Sequence, residues 1–119
     1  MLQTLHGVST YVVPADSAKL DGEQAVVDLI GQLWGQDVDL VVVPAERLTD
    51  DFFRLRTGVA GAIVQKFVNY GLRVAVVGDI SGHVEASTSL RDFVHESNRR
   101  TQLWFVRDEA ELHERLANA

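Results

Sequence analysis

Leu40-Val41-Val42-Val43 is a run of four large apolar residues with no polar alternation, and it decides the fold class of this chain. Strands that read this way are usually buried on both faces, as they are in parallel sheets. The pattern recurs at Arg73-Val74-Ala75-Val76-Val77 and at Leu103-Trp104-Phe105-Val106. Such strands, separated by segments of helical length, predict an α/β domain with right-handed crossovers and a mostly parallel sheet.

The residues before Leu40 predict an N-terminal antiparallel hairpin. Leu2–Leu5 and Val8–Val13 are short β-rich runs, and the His6-Gly7 pair between them is a tight-turn signal. Pro14 then ends the second strand, because proline cannot donate to a sheet ladder.

Four amphipathic segments predict the helices. Their starts are marked by candidate capping residues, namely Asp21 with Gln24, Thr57, Ser89 with Asp92, and Asp108 with Glu111. Gly31 lies inside the first helix, where glycine costs about 1 kcal/mol relative to alanine, and this suggests close packing at that position. The predicted order is β-β-α-β-α-β-α-β-α, in one domain that spans residues 1–119.

Composition limits the classes of function. The chain has 119 residues, no cysteine, and a formal charge of −6 from 17 acidic and 11 basic residues. An acidic surface repels nucleic-acid phosphates and anionic membranes, so we expect neither as a partner. No apolar run is long enough to span a bilayer and no signal peptide is apparent, which favours a cytoplasmic protein.

The familiar motifs of catalysis and cofactor binding are missing from the sequence. Neither phosphate-cradling glycine signature is present. Gly78-Asp79-Ile80-Ser81-Gly82 superficially suggests a nucleophile elbow, but its serine stands one place late. The four histidines (His6, His83, His95 and His113) are scattered and show no metal-ligand spacing. We therefore predict no catalytic residue, no cofactor and no metal.

Two loops lie where a ligand would be expected, at the carboxyl ends of the third and fourth strands. In the first loop, residues 44–57, Arg54 and Arg56 either bind an anion near a helix N-terminus or pair with the neighbouring aspartates. In the second, residues 78–88, Asp79 and His83 either form an acid–base pair or are a turn carboxylate beside a solvated histidine. Ser81 stands between them as a further candidate.

Thr57 and the aromatic residues have two interpretations each. Thr57 caps the following helix or, alternatively, accepts a phosphate that would act as a switch. Phe52 and Phe53 are adjacent in a polar loop, so we expect one of them to face solvent and suit a protein interface. Trp34 and Trp104 are expected in the core or at its edge.

Several stretches resemble a known family. VPAERL (43–48), DFFRLRTGVAG (51–61), QKFVNY (65–70) and LRDFVHESNR (90–99) resemble an uncharacterised bacterial family, domain-of-unknown-function family 4180. The resemblance covers nearly the whole chain and implies no particular activity.

The predicted element order also resembles the STAS domain of sulfate transporters and anti-sigma-factor antagonists. In such antagonists a phosphorylatable serine followed by glycine opens the helix after the third strand. Thr57-Gly58 occupies that place here, with Leu55-Arg56 before it where the family has Asp-Ser. This resemblance implies a STAS-like fold and a phosphoacceptor at Thr57.

Two functions follow as expectations. The first is a non-enzymatic, STAS-like regulatory domain that binds a protein partner through the loop at Phe52, Phe53 and Thr57. A homo-oligomer whose interface is the edge strand or the exposed aromatic residues is compatible with either function. The second is a binding protein for a small anionic molecule, or an uncharacterised enzyme. Its predicted site combines five polar side chains from the two loops: Arg54, Arg56, Asp79, Ser81 and His83.

Overall fold

Five strands form one sheet in the order β1-β2-β3-β4-β5 in the computed structural model, which describes all residues from Met1 to Ala119. The strands are β1 (Leu2–Leu5), β2 (Val8–Val12), β3 (Leu40–Pro44), β4 (Arg73–Val77) and β5 (Leu103–Val106). β1 is antiparallel to β2, and each later pair is parallel. The predicted α/β fold with an N-terminal hairpin is confirmed.

The hairpin turn has the backbone that its sequence predicts. His6 and Gly7 both have positive φ, at 50° and 80°. Positive φ at both central residues gives the turn a twist that matches the strands on either side. The strand partners Leu5 and Val8 flank the turn directly.

Six α-helices connect or follow the strands. They are α1 (Glu23–Gln32), α2 (Asp50–Phe53), α3 (Val59–Asn69), α4 (Ser81–Ala86), α5 (Thr88–Asn98) and α6 (Glu109–Ala117). The short helices α2 and α4 lie inside the two segments that were expected to be loops. Single 3₁₀ turns at Ala45–Arg47 and Leu55–Thr57 flank α2.

The core has two layers, one on each face of the sheet. Val41 and Val43 belong to the larger cluster, which also holds the apolar faces of α1, α3 and α5. Leu40 and Val42 point to the opposite face and pack in a smaller cluster under α6. All four residues of the run are buried, as predicted for a strand covered on both sides.

The predicted helix starts are correct in one case and displaced in the others. Asp108 caps α6 as expected, because its Oδ1 accepts a hydrogen bond from the amide of Glu111 (2.9 Å). Gly22, and not Asp21, is the N-cap of α1, and Ser87, and not Ser89, caps α5. Chemistry along the chain therefore marks a helix start to within a residue or two.

Two expectations about side chains in and near the core are wrong. Trp34 is 89% exposed, because α1 ends at Gln32 and the turn that follows carries the indole away from the sheet. Gly31 has no atom within 4 Å of where a Cβ would lie, so close packing does not explain it. Trp104 is buried as expected, with the guanidinium groups of Arg73 and Arg115 over its ring. None of the helices is long and apolar enough to cross a bilayer.

Candidate functional site

An open groove of about 830 Å³ lies at the carboxyl ends of β3 and β4. One wall is the segment after β3, from α2 through the 3₁₀ turn, and the other is α4 with the start of α5. Its lining residues are Asp50, Phe53, Arg54, Leu55, Arg56, Gly82, His83, Ala86, Ser87 and Ser89. The two loops predicted from the sequence therefore do face one another across a cavity.

The first wall is anchored by Phe52 and Phe53. Both rings are buried, at 2% and 4% exposure, and pack edge to face with centroids 5.2 Å apart. The expectation that one of them faces solvent is therefore wrong. A single turn of helix at residues 50–53 turns both side chains toward the core, which an extended loop could not do.

The hydroxyl group of Thr57 stabilises the backbone conformation of the same wall. Thr57 Oγ1 lies 2.7 Å from the carbonyl oxygen of Asp51 and 2.8 Å from that of Arg54, and it accepts a longer bond (3.3 Å) from the amide of Val59. Gly58, with φ 78°, and not Thr57, is the N-cap of α3. Thr57 therefore stabilises the 51–57 segment and lies one residue before the observed N-cap, so the prediction that it caps α3 is wrong by one residue.

The two arginines of the groove, Arg54 and Arg56, form few hydrogen bonds or ion pairs with the rest of the protein. Arg54 reaches Asp51 at 3.8 Å, and both side chains are exposed, so this pair is worth about 0–1 kcal/mol. The guanidinium of Arg56 forms no hydrogen bond and no ion pair in the structure. The predicted aspartate pairing is thus present for Arg54 only, and both cations remain free to meet a ligand.

His83 forms the opposite wall and is partly supported by the first one. Its imidazole stacks on the ring of Phe53, with centroids 4.2 Å apart and planes 13° from parallel. The side chain is half-buried and has no hydrogen-bond partner. The stack fixes the imidazole at the groove, so His83 is not the freely solvated histidine of the alternative interpretation.

The N-terminus of α5 adds hydrogen-bond donors to this wall. Ser87 Oγ accepts from the amide of Leu90 (3.2 Å), and the Ser87 carbonyl accepts from the amide of Arg91 (3.1 Å). The amides of Thr88 and Ser89 come earlier and have no acceptor within the helix. Ser87 and Ser89 both line the groove, so the positive end of an 11-residue helix borders it.

Asp79 and Ser81 lie apart from this groove. They line a second, smaller cavity of about 310 Å³ at the ends of β4 and β5, which Arg107 also borders. Asp79 Oδ1 accepts from the amide of Ser81 (2.9 Å). That bond, together with one from the Ser81 side chain, lowers the pKa of the fully exposed Asp79 carboxyl below its usual range.

The predicted acid–base pair is therefore absent. No hydrogen bond joins Asp79 to His83, and Asp79 closes the turn before α4 in the manner of its simpler interpretation. The five polar residues predicted as one site divide into two sets. Arg54, Arg56 and His83 meet in the large groove, whereas Asp79 and Ser81 do not.

The fold also brings together two histidines that the sequence leaves 107 residues apart. His113 Nδ1 lies 3.3 Å from His6 Nε2, across the hairpin turn and α6. No spacing along the chain signals this contact. No group of three or more potential metal ligands comes together anywhere in the structure.

Chemically, the large groove offers cations and amide donors with one carboxylate. Arg54, Arg56 and the start of α5 attract negative charge, while Asp50 contributes a carboxylate to the lining. No serine hydroxyl in the lining forms a hydrogen bond with His83.

Comparison with known proteins identifies the family of this chain but assigns no activity to it. No curated protein and no solved structure matches the chain, so the STAS-like resemblance stays a prediction. A family profile matches residues 5–116, which include both walls of the groove and all five strands in whole or in part. The chain therefore belongs to the family described as domain of unknown function (DUF4180).

Proposed function

We propose that the chain binds a small anionic molecule in the groove between α2 and α5. The observation that carries the proposal is the convergence of Arg54, Arg56 and His83 on one cavity from segments that are separate in sequence. The volume of about 830 Å³ is within the range of roughly 300–1,000 Å³ that is common for ligand pockets.

The chemistry of the groove favours a phosphate or carboxylate group. A guanidinium presents paired donors that match the two oxygens of either group. Arg56 forms no ion pair and Arg54 forms only a weak one with Asp51, so an anion can bind both guanidinium groups without breaking a strong interaction. The amides at the start of α5 add fixed donors for the same charge.

Asp50 restricts the ligand further. Its carboxylate repels a second anionic group but accepts a hydrogen bond from a hydroxyl or an amine. The proposed ligand class is therefore a molecule with one phosphate or carboxylate and a hydrogen-bond donor away from it, such as a sugar phosphate or an amino acid. Binding is favoured over catalysis, because no hydroxyl is paired with a base.

The test is calorimetric titration at low ionic strength with inorganic phosphate, then with glucose 6-phosphate. We expect saturable binding of one equivalent, weakened at least tenfold in Arg56→Gln. Arg99→Gln is the matched control, because it removes an exposed arginine of α5's C-cap far from the groove lining. Equal affinities for the two variants, or no binding of either probe, would overturn the proposal.

A regulatory role is the second candidate, and the position of Thr57 favours it. Thr57 is exposed and flanked by the groove arginines Arg54 and Arg56. A phosphate there would remove the hydroxyl proton that faces two carbonyl oxygens and would attract both guanidinium groups. In this second proposal the chain is a cytoplasmic, STAS-like regulatory protein that is switched by phosphorylation of Thr57.

The regulatory proposal is tested by peptide mass spectrometry of the protein purified from its own cells under several growth conditions. Phosphate on Thr57 in any condition supports it. An unmodified Thr57 in all of them, with full coverage of the peptide, contradicts it. Burial of Phe52 and Phe53 weighs against the aromatic protein interface that was expected beside this residue.

A further inference from the structure

The two edges of the sheet are protected very differently. At the β5 edge, the side chain of Asn98 pairs with the backbone of Phe105 as a neighbouring strand would. Asn98 Oδ1 accepts from the Phe105 amide (2.8 Å), and Asn98 Nδ2 donates to the Phe105 carbonyl (3.1 Å). Contacts with α5 also cover this strand, and all four of its residues are buried.

The β1 edge has no such cover. Met1 and Val12 exchange both backbone hydrogen bonds (2.8 and 2.9 Å). In an antiparallel ladder this pairing alternates, so Gln3 and Leu5 also face β2. The N–H and C=O groups of Leu2 and Thr4 consequently point away from the sheet, and no protein group bonds to them.

The sequence of β1 does nothing to discourage pairing with another strand. Leu2-Gln3-Thr4-Leu5 contains no charged residue and no proline, which are the usual safeguards of an exposed edge. Two of the five large apolar side chains exposed on the whole chain are at this edge: Met1 at 71% and Leu2 at 46%.

We propose that β1 pairs with β1 of a second copy of this chain, which makes a continuous ten-stranded sheet. The outward groups are symmetric about Gln3, so an antiparallel two-fold arrangement places Leu2 of each copy opposite Thr4 of the other. Each such pair exchanges two backbone hydrogen bonds, four in total. The two Gln3 side chains face each other at the axis.

A second copy fits this edge better than an unrelated strand. The surface patch is self-complementary, as a two-fold interface requires. Each copy carries a formal charge of −6, but the paired strands carry no charged side chain, so repulsion comes only from the surrounding surface. Dimerisation is therefore expected to strengthen as salt screens that repulsion.

The test is sedimentation velocity of the full chain, with any tag at the C-terminus, from 5 to 500 µM in low and in high salt. We expect a monomer–dimer equilibrium that shifts toward dimer at high salt. Thr4→Pro removes one outward amide without touching the bonds to β2 and should weaken dimerisation at least tenfold. Thr4→Val keeps the amide and should dimerise as the parent does.

Amide hydrogen exchange keeps the proposal testable if Thr4→Pro fails to fold. In the parent chain the amides of Leu2 and Thr4 should gain protection as protein concentration rises, while those of Gln3 and Leu5 should not change. A monomer at every concentration and salt would overturn the proposal. So would a dimer whose Leu2 and Thr4 amides stay unprotected, because that dimer would use another surface such as the exposed Trp34 and Tyr70.

Discussion

Gly78 is the point where the two walls of the groove meet below their surface. It follows β4, and its amide still donates to the carbonyl of Val106 on β5 (3.0 Å). Its φ is 149°, and a Cβ built on it would lie 2.7 Å from the Cβ of Ala45, the first residue after β3. We predict that Gly78→Ala destabilises the fold strongly.

Two terms set the size of the effect. A side chain held at such a φ costs about 1–3 kcal/mol. Forcing a methyl group into packed structure costs about 1–3 kcal/mol more. A gain of roughly 0.4–1 kcal/mol from the stiffer unfolded chain offsets part of this cost. The net loss should be about 2–5 kcal/mol, a large share of the roughly 5–15 kcal/mol that holds a typical domain folded.

Urea denaturation followed by the fluorescence of the buried Trp104 measures this loss. Gly82→Ala is the matched control, since it lies in α4 with no atom within 4 Å of its Cβ position and should be neutral or slightly stabilising. Adding Ala45→Gly to Gly78→Ala removes the clash and should leave only the backbone term. If the free energies of unfolding of Gly78→Ala and Gly82→Ala agree within about 0.5 kcal/mol, Gly78 and Ala45 do not approach one another as closely as the structure shows.

Three further outcomes follow from single contacts. Gly31→Ala should raise the free energy of unfolding by about 0.5–1 kcal/mol in urea, because the site is open and helical; a loss would show hidden packing. Asn98→Ala should cost about 1–3 kcal/mol by the same assay, because it strips both partners from the Phe105 backbone; Asn69→Ala, at an exposed helix end, is the control, and equal losses would refute the role of Asn98. The Asp79 carboxyl should titrate by NMR below the usual value of about 3.9. Because the pKa of Asp79 is depressed in the folded state, its contribution to stability is present above about 3.9 and is lost as pH falls through the folded pKa. Asp79→Asn should therefore flatten the pH dependence of the free energy of unfolding in that range. A pKa of Asp79 at or above the usual value would contradict its hydrogen bond to the Ser81 amide.

The strands and their pairing were predictable because local chemistry and long-range packing agree on them. Leu40 to Val43 has no polar face, so only burial on both sides suits it, and the structure places it at the middle of the sheet. The His6-Gly7 turn likewise needs residues that tolerate positive φ. In both places a short stretch of sequence is compatible with one conformation.

The position of the larger groove was predictable from the sequence, but the set of side chains that line it was not. The rule that ligands meet the carboxyl ends of parallel strands points to the end of the sheet where the larger groove lies. It could not foresee α2, a single turn whose formation buries both Phe52 and Phe53 through tertiary packing. Nor could it foresee that α4 would carry His83 toward Phe53 and leave Asp79 behind in a turn. Short helices have little intrinsic stability, so the sequence alone gives no strong signal for them.

The most direct test of the anion-binding groove is a phosphate titration of the ¹⁵N-labelled chain followed by two-dimensional NMR. We expect saturable shifts of amides in residues 54–57 and 82–89, with Arg56 and Ser89 among the largest. We expect no comparable shift at the exposed Arg99-Arg100 pair. Shifts that do not saturate, or that centre on Arg99 and Arg100, would rule out anion binding in the groove, because phosphate would then be interacting with general surface charge.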